Sequence, residues 1–565
     1  MNRRSVLAPL AIIGSFGIAL VPTLAEAATP TSSAHAFIKA DTSAGSAAAL
    51  AQAAGFATYT SPASKSKLVR ASATTPNPDL AVGITAKTIS AFGVVLSVTV
   101  SGLTSGTATL DIGWGDGGST SVTVDGDTTQ PLTYQNTDSL LGAYKITAGL
   151  DDGSGDTATN SLAFATRGSD FTAVGPSRVL DTRYGIGASA TPVTAGGTLK
   201  LDVGSDVYTD GSPISAVVVN VTATDETANG VLTVYGDEDS SGNALSRPTT
   251  SNVNYRKGAN TPNLVVVPVG KNGVVDFYNN SSGSTDLIAD VQGYFSQTNS
   301  SEYVPVTPTR IIDTRKGIGT GKVAQIPANG TIVVPVAGLK NGVVPGSALS
   351  VALNLTAVDG TKNGVITAYA GNGGSDVPTA SNLNYSAGST SANMAIVQLG
   401  FENPGLNEIA IHNSGSGPVD VVADVFGYFA VGAVDGSAYI PLSSPVRVLD
   451  TRRQGGPLDA GTAYSTPFPF TPSTAGIFNA TVTEPTGNGF LSLYPYNPDE
   501  PSALPTTSNL NYRAGQTVPN LAFVSPGTVE NTADGNAYEF GIYLGGKGTA
   551  QVIVDWFGFF QNRNQ

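Results

Sequence analysis

One long block of sequence recurs three times, and this repeat constrains the fold more than any other feature. The block begins as RVLDTRYGIG at Arg178, as RIIDTRKGIG at Arg310 and as RVLDTRRQGG at Arg447, so the copies start 132 and 137 residues apart. Solenoid and propeller units are much shorter, about 20–50 residues. A repeat of this length is large enough to be a domain with its own core. The sequence therefore predicts three homologous domains in tandem.

Each copy contains four motifs in a fixed order. An aromatic lead-in precedes the Asp-Thr-Arg motif, a run such as NVTATDETANGVLTVY follows, then comes a hairpin such as SNVNYRKGANTPNL, and the copy closes with DVQGYF, DVFGYF or DWFGFF. The short β-branched runs are bounded by Gly, Pro or Asn-Gly, which is typical of strands and tight turns. We predict about eight to ten strands per copy, folded as a jelly-roll-like β-sandwich over 169–296, 301–430 and 437–562. The repeat resembles modules of secreted actinobacterial proteins, and this resemblance implies an extracellular location rather than an activity.

The segment 78–168 shows a period-two alternation of apolar residues, broken by Gly and Asp turns, which predicts an antiparallel sheet with one buried face. It contains IGWGDGG around Trp114 and Asp116, and later YKITAGLDDGSGD, which includes Tyr144 at its start. On these motifs the segment resembles a PKD domain, and the resemblance implies an immunoglobulin-like sandwich that serves as a spacer or a glycan-associated module. We expect the Asp116 side chain to bond backbone N–H groups of its own turn. The predicted fold class is therefore all-β, with four sandwich domains in tandem.

The first 27 residues have the features of an export signal. Arg3 and Arg4 supply the positive start, residues 6–24 the apolar run, and Ala25-Glu26-Ala27 the small-x-small cleavage site. The paired arginines are compatible with the general secretory (Sec) route and with the twin-arginine route. Residues 28–77 are rich in Ala, Ser and Thr and predict a flexible linker. We therefore expect a secreted, extracellular protein whose attachment to a cell wall, if any, is non-covalent.

Charge and composition narrow the classes of partner. Only 12% of the residues are charged and the net charge is −14. Such a chain is poorly suited to nucleic acid or to an anionic membrane, because phosphate binding depends on Lys and Arg. The chain has no cysteine, so disulfides and thiolate chemistry are excluded.

Catalytic and metal-binding side chains are sparse. The two histidines are His35 and His412, which leaves no repeated Ser-His-Asp triad or histidine metal cage. We predict no enzymatic activity, although the carboxylates repeated in each copy leave a glycosidase-type pair open. We also predict no cofactor. Two acidic loops, GDEDSSGN from Gly236 and DDGSGD from Asp151, keep calcium as an alternative.

The Asp-Thr-Arg motif places one aspartate between two arginines, at positions −3 and +2. On a regular strand Arg183 shares the face of Asp181, whereas Arg178 lies on the opposite face. Arg178 then needs another partner, and the recurrent aspartate of the closing motif is a candidate. We interpret the set as a structural fastener between the two ends of each copy, with ligand binding as the alternative. Its members are Arg178, Asp181, Arg183, Asp290, Arg310, Asp313, Arg315, Asp424, Arg447, Asp450, Arg452 and Asp555.

The hairpin motif is the candidate for ligand binding. Planar amides and aromatic rings are the groups that read sugar hydroxyls and pyranose faces. The alternative is that the amides cap turns and the tyrosines fill the core. The spacing from the first hairpin asparagine to a later one is 11 residues in every copy, as from Asn252 to Asn263. The candidate residues are Asn252, Asn254, Tyr255, Asn382, Asn384, Tyr385, Asn509, Asn511 and Tyr512.

Two functions remain open from the sequence. The first is multivalent binding of an extracellular glycan or cell-wall polymer, because three weak copies on one chain gain avidity through effective concentration. The second is a structural spacer or scaffold that displays, or assembles with, other secreted proteins.

Overall fold

The computed structural model describes most of the chain after residue 57. The described residues are 36–37, 58–65, 79–103, 106–127, 132–136, 141–206, 214–239, 241–297, 300–340, 342–371, 376–403, 406–470, 472–497, 504–527, 530–532 and 535–563. The predicted export signal and most of the predicted linker, including His35, lie outside this set. Within it the chain forms β-strands and one short helical turn, and the fold class is all-β.

The first strands build a two-layered sandwich, which we call the N-terminal sandwich (β2–β9). Two four-stranded sheets, β2-β3-β4-β7 and β6-β5-β8-β9, pack face to face. Along β5, for example, Ala108, Leu110 and Ile112 face the core while the residues between them are exposed. The strands are β1 (Ala36–Phe37), β2 (Thr58–Lys65), β3 (Ala81–Thr88), β4 (Val94–Ser101), β5 (Thr107–Gly113), β6 (Ser119–Asp125), β7 (Leu132–Asn136), β8 (Ala143–Asp151) and β9 (Thr157–Ala165).

The sandwich starts earlier in the chain than the sequence predicted. Strand β2 lies inside the predicted linker 28–77 and pairs antiparallel with β3, from Thr58 opposite Lys87 to Lys65 opposite Ala81. Its sequence, TYTSPASK, has neither apolar alternation nor β-branched enrichment, so sequence patterning gave no sign of a strand. Pairing with a strong neighbouring strand overrides this weak local preference.

Copy 1 is an eight-stranded jelly roll. If its strands are counted from one to eight, one sheet has the order 1-8-3-6 (β10-β17-β12-β15) and the other 2-7-4-5 (β11-β16-β13-β14). These are the two sheets of a jelly roll; we call them the inner and the outer sheet. The elements are β10 (Asp170–Asp181), β11 (Thr198–Asp202), α1 (Val203–Asp206), β12 (Ile214–Thr224), β13 (Gly230–Gly236), β14 (Val253–Tyr255), β15 (Thr261–Pro268), β16 (Val274–Ser281) and β17 (Asp286–Ser296).

Copies 2 and 3 repeat this strand order, with small additions. Their inner sheets are β18-β26-β20-β23 and β27-β37-β30-β33, and their outer sheets are β19-β25-β21-β22 and β29-β36-β31-β32. Copy 2 consists of β18 (Glu302–Asp313), β19 (Gly330–Ala337), β20 (Ala348–Val358), β21 (Gly364–Ala370), β22 (Leu383–Tyr385), β23 (Ser391–Gln398), β24 (Gly400–Asn403), β25 (Leu406–Asn413) and β26 (Asp420–Ala430). Copy 3 consists of β27 (Ser437–Asp450), β28 (Leu458–Asp459), β29 (Ala463–Pro467), β30 (Ala475–Thr483), β31 (Gly489–Pro495), β32 (Leu510–Tyr512), β33 (Val518–Val524), β34 (Glu530–Thr532), β35 (Gly535–Ala537), β36 (Glu539–Gly546) and β37 (Thr549–Asn562).

The three copies close into one ring, which we call the base. Their first strands bridge in a cycle: Phe171 pairs with Ser301, Tyr303 with Ser437, and Tyr439 with Ser169. Because each copy meets the next through the same part of its first strand, the base has approximate threefold symmetry. The inner sheets face the centre of the ring and the outer sheets face away from it.

The centre of the ring is a hydrophobic cluster shared by all three copies, which we call the axial core. Among its members are six aromatic rings from the first and last strands, two from each copy, with neighbouring centroids 4.4–6.3 Å apart. Strand β17 of the inner sheet is therefore buried on both faces, and none of its residues is exposed. The rings belong to Phe171, Phe295, Tyr303, Phe429, Tyr439 and Phe560.

The glycine of the closing motif is required by this packing. A Cβ at Gly293 would collide with the ring of Phe171, and one at Gly427 with the ring of Tyr303. The aromatic residue of the first strand thus packs directly on the backbone of the glycine in the last strand of the same copy. Only glycine allows this close approach, because it has no side chain.

The N-terminal sandwich is seated on copy 3. Ala91, Phe92 and Leu141 belong to the same hydrophobic cluster as Ala438. The Ala91 N–H donates to Gln561 Oε1 at 3.0 Å. A Cβ at Gly168, which connects the two parts, would meet side chains of both at less than 3 Å. The sandwich is therefore packed against the base rather than tethered beside it.

Candidate functional site

The Asp-Thr-Arg motif of copy 1 lies where the first strand ends. Strand β10 has a register shift between Arg178 and Leu180. This bulge rotates the strand, so the Arg178 and Asp181 side chains meet, whereas a regular strand would place them on opposite faces. The prediction of opposite faces was wrong for this reason.

The three charged groups of the motif form one network with the closing strand. Arg178 donates from Nε and Nη2 to the two carboxylate oxygens of Asp290, at 2.9 and 3.2 Å, and from Nη1 to Asp181 at 3.1 Å. Arg183 holds both oxygens of Asp181, at 2.9 and 2.7 Å. Two-pronged arginine–carboxylate pairs of this kind are strong and directional. The structure thus brings together the residues that the sequence grouped as a fastener.

The same network recurs in copies 2 and 3. The arginine that begins each motif bonds the closing aspartate, and the arginine that ends it bonds the central aspartate. The Nε–Oδ1 distances are 2.9 Å for Arg310–Asp424, 2.8 Å for Arg447–Asp555, 2.9 Å for Arg315–Asp313 and 2.8 Å for Arg452–Asp450.

The central aspartates are held in the charged form by their arginines. Burial alone would raise the pKa of Asp181, but the hydrogen bonds and charge of Arg183 outweigh it and lower the pKa below the usual value. Hydrogen bonds from Arg315 likewise lower the pKa of Asp313. Burial raises the pKa of Asp555 in the closing strand, against the opposing effect of Arg447. Asp181, Asp313 and Asp450 are also at most 1% exposed, so these carboxylates do not present an open face to a substrate.

The threonine of the motif adds a second bond between the chain ends. Thr182 Oγ1 donates to Asp286 Oδ1 at 2.6 Å and accepts from the Leu287 N–H at 3.0 Å. Copy 2 repeats this with Thr314 and Asp420 at 2.6 Å. Thr182 therefore bonds the last strand directly, whereas the Asp181 side chain is linked to it through Arg178.

The closing aspartate also joins neighbouring copies. The Ser381 N–H of copy 2 donates to Asp290 Oδ2 of copy 1 at 2.9 Å. Asp424 of copy 2 accepts a backbone hydrogen bond from Ser508 of copy 3. The fastener thus extends from within a copy to the junction with the next one.

The hairpin candidates lie mostly inside the base. In copy 1, Asn252 is 1% exposed and its Oδ1 accepts from the Val234 N–H at 2.7 Å. The hydroxyl of the buried Tyr255 donates to Asn279 Oδ1 at 2.5 Å. Asn254 is half-buried and accepts from Ser251 Oγ at 3.2 Å. In this arrangement the side chains do not present a surface to a polymer.

The equivalent residues of copies 2 and 3 have the same placement. Asn382 and Asn509 accept from the backbone N–H groups of Ala368 and Leu493 at 2.7 and 2.6 Å. Asn384 and Asn511 are half-buried. The tyrosines are buried: the Tyr385 hydroxyl donates to Asn413 Oδ1 at 2.7 Å, and burial raises the pKa of Tyr512 to about 12.

A ring of six buried asparagines surrounds the axis, and none of them was among the candidate site residues. Asn220 of copy 1 donates to the Ser381 carbonyl of copy 2 at 2.6 Å, and its Oδ1 accepts from Asn393 at 2.8 Å. Asn393 Oδ1 in turn accepts from the Leu264 N–H at 3.2 Å. Asn354 and Asn479 likewise donate to the carbonyls of Ser508 and Ser251, at 2.6 and 2.8 Å. Asn520 Nδ2 donates to Asn354 Oδ1 at 2.9 Å, and Asn263 Nδ2 donates to Asn479 Oδ1 at 3.0 Å, which completes the cycle.

Two sequence signals pointed to this ring. An asparagine stands in the middle of the apolar run AVVVNVTAT, where a buried polar group requires a partner. The constant 11-residue spacing from Asn252 to Asn263 reflects a bond between them, because Asn263 Nδ2 donates to the Asn252 carbonyl at 2.6 Å. Neither signal identifies the partner in the next copy, which only the assembled ring supplies.

The predicted turn of the N-terminal sandwich is closed by its own residues. Asp116 Oδ1 accepts from the Gly118 N–H at 2.8 Å, and the indole N–H of Trp114 donates to Thr120 at 3.0 Å. The acidic loops behave similarly: Asp152 accepts from the Ser154 N–H at 2.9 Å, and Asp239 from the Ser241 N–H at 2.8 Å. Carboxylates in these loops organise backbone turns.

The outer face of the N-terminal sandwich carries an open polar groove of about 720 Å³. Ser and Thr side chains from β2, β6, β8 and β9 line it, together with Asp111, Lys145 and Asn160. Asn160 is fixed at one edge, since its Nδ2 donates to the Val82 carbonyl at 2.9 Å. Unlike the hairpin candidates of the base, the groups along this groove face the solvent.

The described part of the chain holds no group of three or more His, Asp or Glu side chains with the geometry of a metal site. In the same residues no helix is long and apolar enough to cross a membrane. His412 bonds Thr331 at 2.8 Å through Nδ1, and burial lowers its pKa.

Comparison with known proteins identifies no family for this chain. No family model matches, and no curated protein matches. One solved structure, described as "The Triple Jelly Roll Fold and Turret Assembly in an Archaeal Virus", is 9% identical with a TM-score of 0.13 and covers 70% of this chain and 90% of its own. Another, described as "Life in the extremes: atomic structure of Sulfolobus Turreted Icosahedral Virus", is 10% identical with a TM-score of 0.14. The match covers 69% of this chain and 91% of the other chain. The strand order within the chain itself defines an all-β protein of tandem sandwich domains.

Proposed function

We propose that this protein is a secreted, non-enzymatic scaffold in which the base displays the N-terminal sandwich, a PKD-like module, to other extracellular proteins. One observation carries the proposal: the recurring polar residues of the three copies bond one another inside the ring. Within the described residues, the asparagines and aspartates that recur in this way are used in closing the assembly. Of the two functions that the sequence leaves open, this favours the scaffold.

The seating of the sandwich supports the same function. A module on a flexible tether samples many orientations, whereas Ala91, Phe92 and Gly168 pack directly against copy 3. A fixed orientation is useful for displaying a surface.

A retention experiment with two kinds of bait tests the proposal. The chain without its predicted signal is incubated with purified cell wall, chitin and cellulose, and separately immobilised and exposed to the proteins co-secreted by the producing cells. We expect no retention on the polysaccharides and saturable binding of at least one secreted protein. Retention on a polysaccharide that survives removal of every secreted protein would contradict the scaffold.

Glycan binding by the N-terminal sandwich is a second candidate, because its polar groove is open to solvent. Ser and Thr hydroxyls with Asp111 and Lys145 are groups that bond sugar hydroxyls. If a polysaccharide retains the chain, Lys145→Ala and Asp111→Ala should each weaken retention. The matched control is Asp151→Ala, which changes a carboxylate on β8 outside the groove lining. Equal loss in the control would exclude the groove.

A further inference from the structure

Three residues at equivalent positions surround the axis of the base where the first strands of the copies begin. Each lies between the two residues through which its strand bridges to the neighbouring copies. Because side chains alternate along a strand, these three point away from the aromatic rings of the axial core. They are Asp170 of copy 1, Glu302 of copy 2 and Ala438 of copy 3. The ring therefore brings two carboxylates together at one end of its axis.

The two carboxylates are buried and carry like charge. Asp170 is 4% exposed and Glu302 is 6% exposed. Like charges at facing positions of neighbouring strands are destabilising, and burial adds the cost of removing each charge from water. Burial, and then the charge of Glu302, raise the pKa of Asp170 to about 7. The pair therefore needs compensating positive charge.

One arginine supplies part of that charge. Arg563 Nη2 donates to Glu302 Oε1 at 3.4 Å, and its guanidinium lies 4.3 Å from the ring centre of Phe92 in the N-terminal sandwich. Asp170 accepts a hydrogen bond from the Ser300 N–H. Its Oδ1 is buried and has no hydrogen-bond partner among the described residues. Buried polar atoms normally have a partner, which can be a bound ion or water, so this oxygen is available to a ligand.

We propose that Asp170 and Glu302 form a calcium site at the axis of the base, beneath the N-terminal sandwich. Both side chains offer oxygen atoms, the donors that hard cations prefer. Calcium accepts irregular ligand sets that backbone carbonyls and water complete, whereas magnesium requires a nearly ideal octahedron and loses its water reluctantly. A proton on Asp170 is the competing occupant.

A cation at this position links separate parts of the chain. Asp170 begins copy 1 and Glu302 begins copy 2, so calcium would hold the junction of these copies closed. The third equivalent position belongs to the seat of the sandwich, because a Cβ at Gly168 would lie 2.7 Å from the Cβ of Ala438. The site is therefore distinct from any surface that the scaffold displays. Calcium uptake and retention of secreted proteins are separate measurements, and failure of either leaves the other intact.

Calorimetric titration with calcium chloride tests the site on the chain without its predicted signal, after removal of metal ions with a chelator. We expect one calcium ion per chain with a Kd of about 0.1–1 mM, the range of extracellular modules. Asp170→Asn keeps the shape of the side chain but removes its charge, and should weaken binding more than about tenfold. The matched control is Asp152→Asn in an acidic loop of the N-terminal sandwich, which should bind calcium as the wild type does.

A second variant and thermal melting guard against a folding defect. Glu302→Gln should also weaken calcium binding. Both variants should melt cooperatively without calcium, because each removes one of two repelling charges. Saturating calcium should raise the melting temperature of the wild type by at least about 2 °C and leave that of Asp170→Asn unchanged.

The pH dependence of binding separates calcium from a proton. Binding should tighten from pH 6 to pH 8, because calcium must displace the proton from a carboxyl group whose pKa is about 7 and which faces Glu302 and Arg563. A wild type that takes up no calcium at pH 8 would show that the pair holds a proton alone and would overturn the site. Binding that survives Asp170→Asn, or an equal loss in Asp152→Asn, would overturn it as well.

Discussion

The N-terminal sandwich and the jelly rolls of the base are both two-layered β-structures, but they bury their strands differently. In β5 of the sandwich, buried and exposed residues alternate, as expected for a sheet with one face in water. In β12 of copy 1, every residue after Ser215 is buried, because one face packs on its own outer sheet and the other on the axial core. A domain of the first kind has a complete core of its own. A domain of the second kind depends on its neighbours.

The largest effect is expected when copy 2 and the N-terminal sandwich are each produced as a separate protein. An isolated copy 2, residues 301–436, exposes the face of its inner sheet that packs on the axial core. Asn354 and Asn393 lose their partners in copies 3 and 1. We expect it to associate into trimers or to aggregate, whereas residues 58–168 stay monomeric. Light scattering after size-exclusion chromatography measures both. A monomeric, cooperatively folded copy 2 would show that the axial core is not needed for folding.

Removal of one axial ring should affect all three copies together. Phe429→Ala removes a fully buried ring that contacts Phe171 and Tyr303, and we expect a loss of about 3–5 kcal/mol in the unfolding free energy of the base. Calorimetry should show the base melting as one unit at a lower temperature while the N-terminal sandwich is unchanged. Val431→Ala, at a position 62% exposed, is the control and should change stability by less than about 0.5 kcal/mol.

The fastener should have a smaller effect, which depends on pH. Asp313→Ala leaves Arg315 without its carboxylate, whereas Arg310 keeps Asp424. We expect a loss of about 2–3 kcal/mol at pH 7, reduced because both arginines are partly exposed. Because the pKa of Asp313 is lowered in the folded state, its contribution is present above the unfolded pKa and disappears as pH falls through the folded pKa. Urea unfolding at pH 7 and below pH 4 measures this. A loss that does not shrink in acid would contradict the ionic role.

The smallest expected effect on stability concerns a carboxyl group that only copy 1 has at its position. Copy 1 has the buried Glu226 where copies 2 and 3 have Gly360 and Pro485. Burial, with the charge of Asp225, raises the pKa of Glu226 to about 7. A raised pKa favours the protonated carboxyl in the folded state, so stability is highest below the unfolded pKa and falls as pH rises towards 7.

Glu226→Gln should therefore stabilise the chain by about 1–2 kcal/mol at pH 8 and leave it unchanged at pH 4. Melting temperatures at the two pH values measure the difference. A variant that is less stable than the wild type at pH 8 would show that the charged carboxylate has a favourable partner.

Much of the fold within each domain was predictable, and the reasons are local. Period-two alternation, Asn-Gly turns and the length of the repeat predicted sandwiches with jelly-roll character, because strand and turn preferences act over a few residues. The pairing of Arg178 with Asp290 was a candidate from spacing alone. The contact between Arg178 and Asp181 was not, because it depends on a bulge that the sequence does not announce.

The hairpin asparagines show where sequence reasoning reached its limit. Asn252 and Tyr255 carry groups that suit a sugar, and nothing in their local sequence distinguishes an exposed site from a buried junction. The uninterrupted apolar runs AVVVNVTAT and NLVVVPVG did contain the missing information, since a strand without alternation is buried on both faces.

The sequence by itself determined the all-β class, the threefold repeat and the grouping of the Asp-Thr-Arg motif with the closing aspartate. These properties follow from side-chain periodicity and from short-range turn chemistry. The tertiary structure decided that the copies form a ring, that their asparagines bond across junctions, and that the N-terminal sandwich packs on copy 3. Those features arise from surfaces that meet only after each sandwich has folded, so residues far apart in the chain fix them jointly.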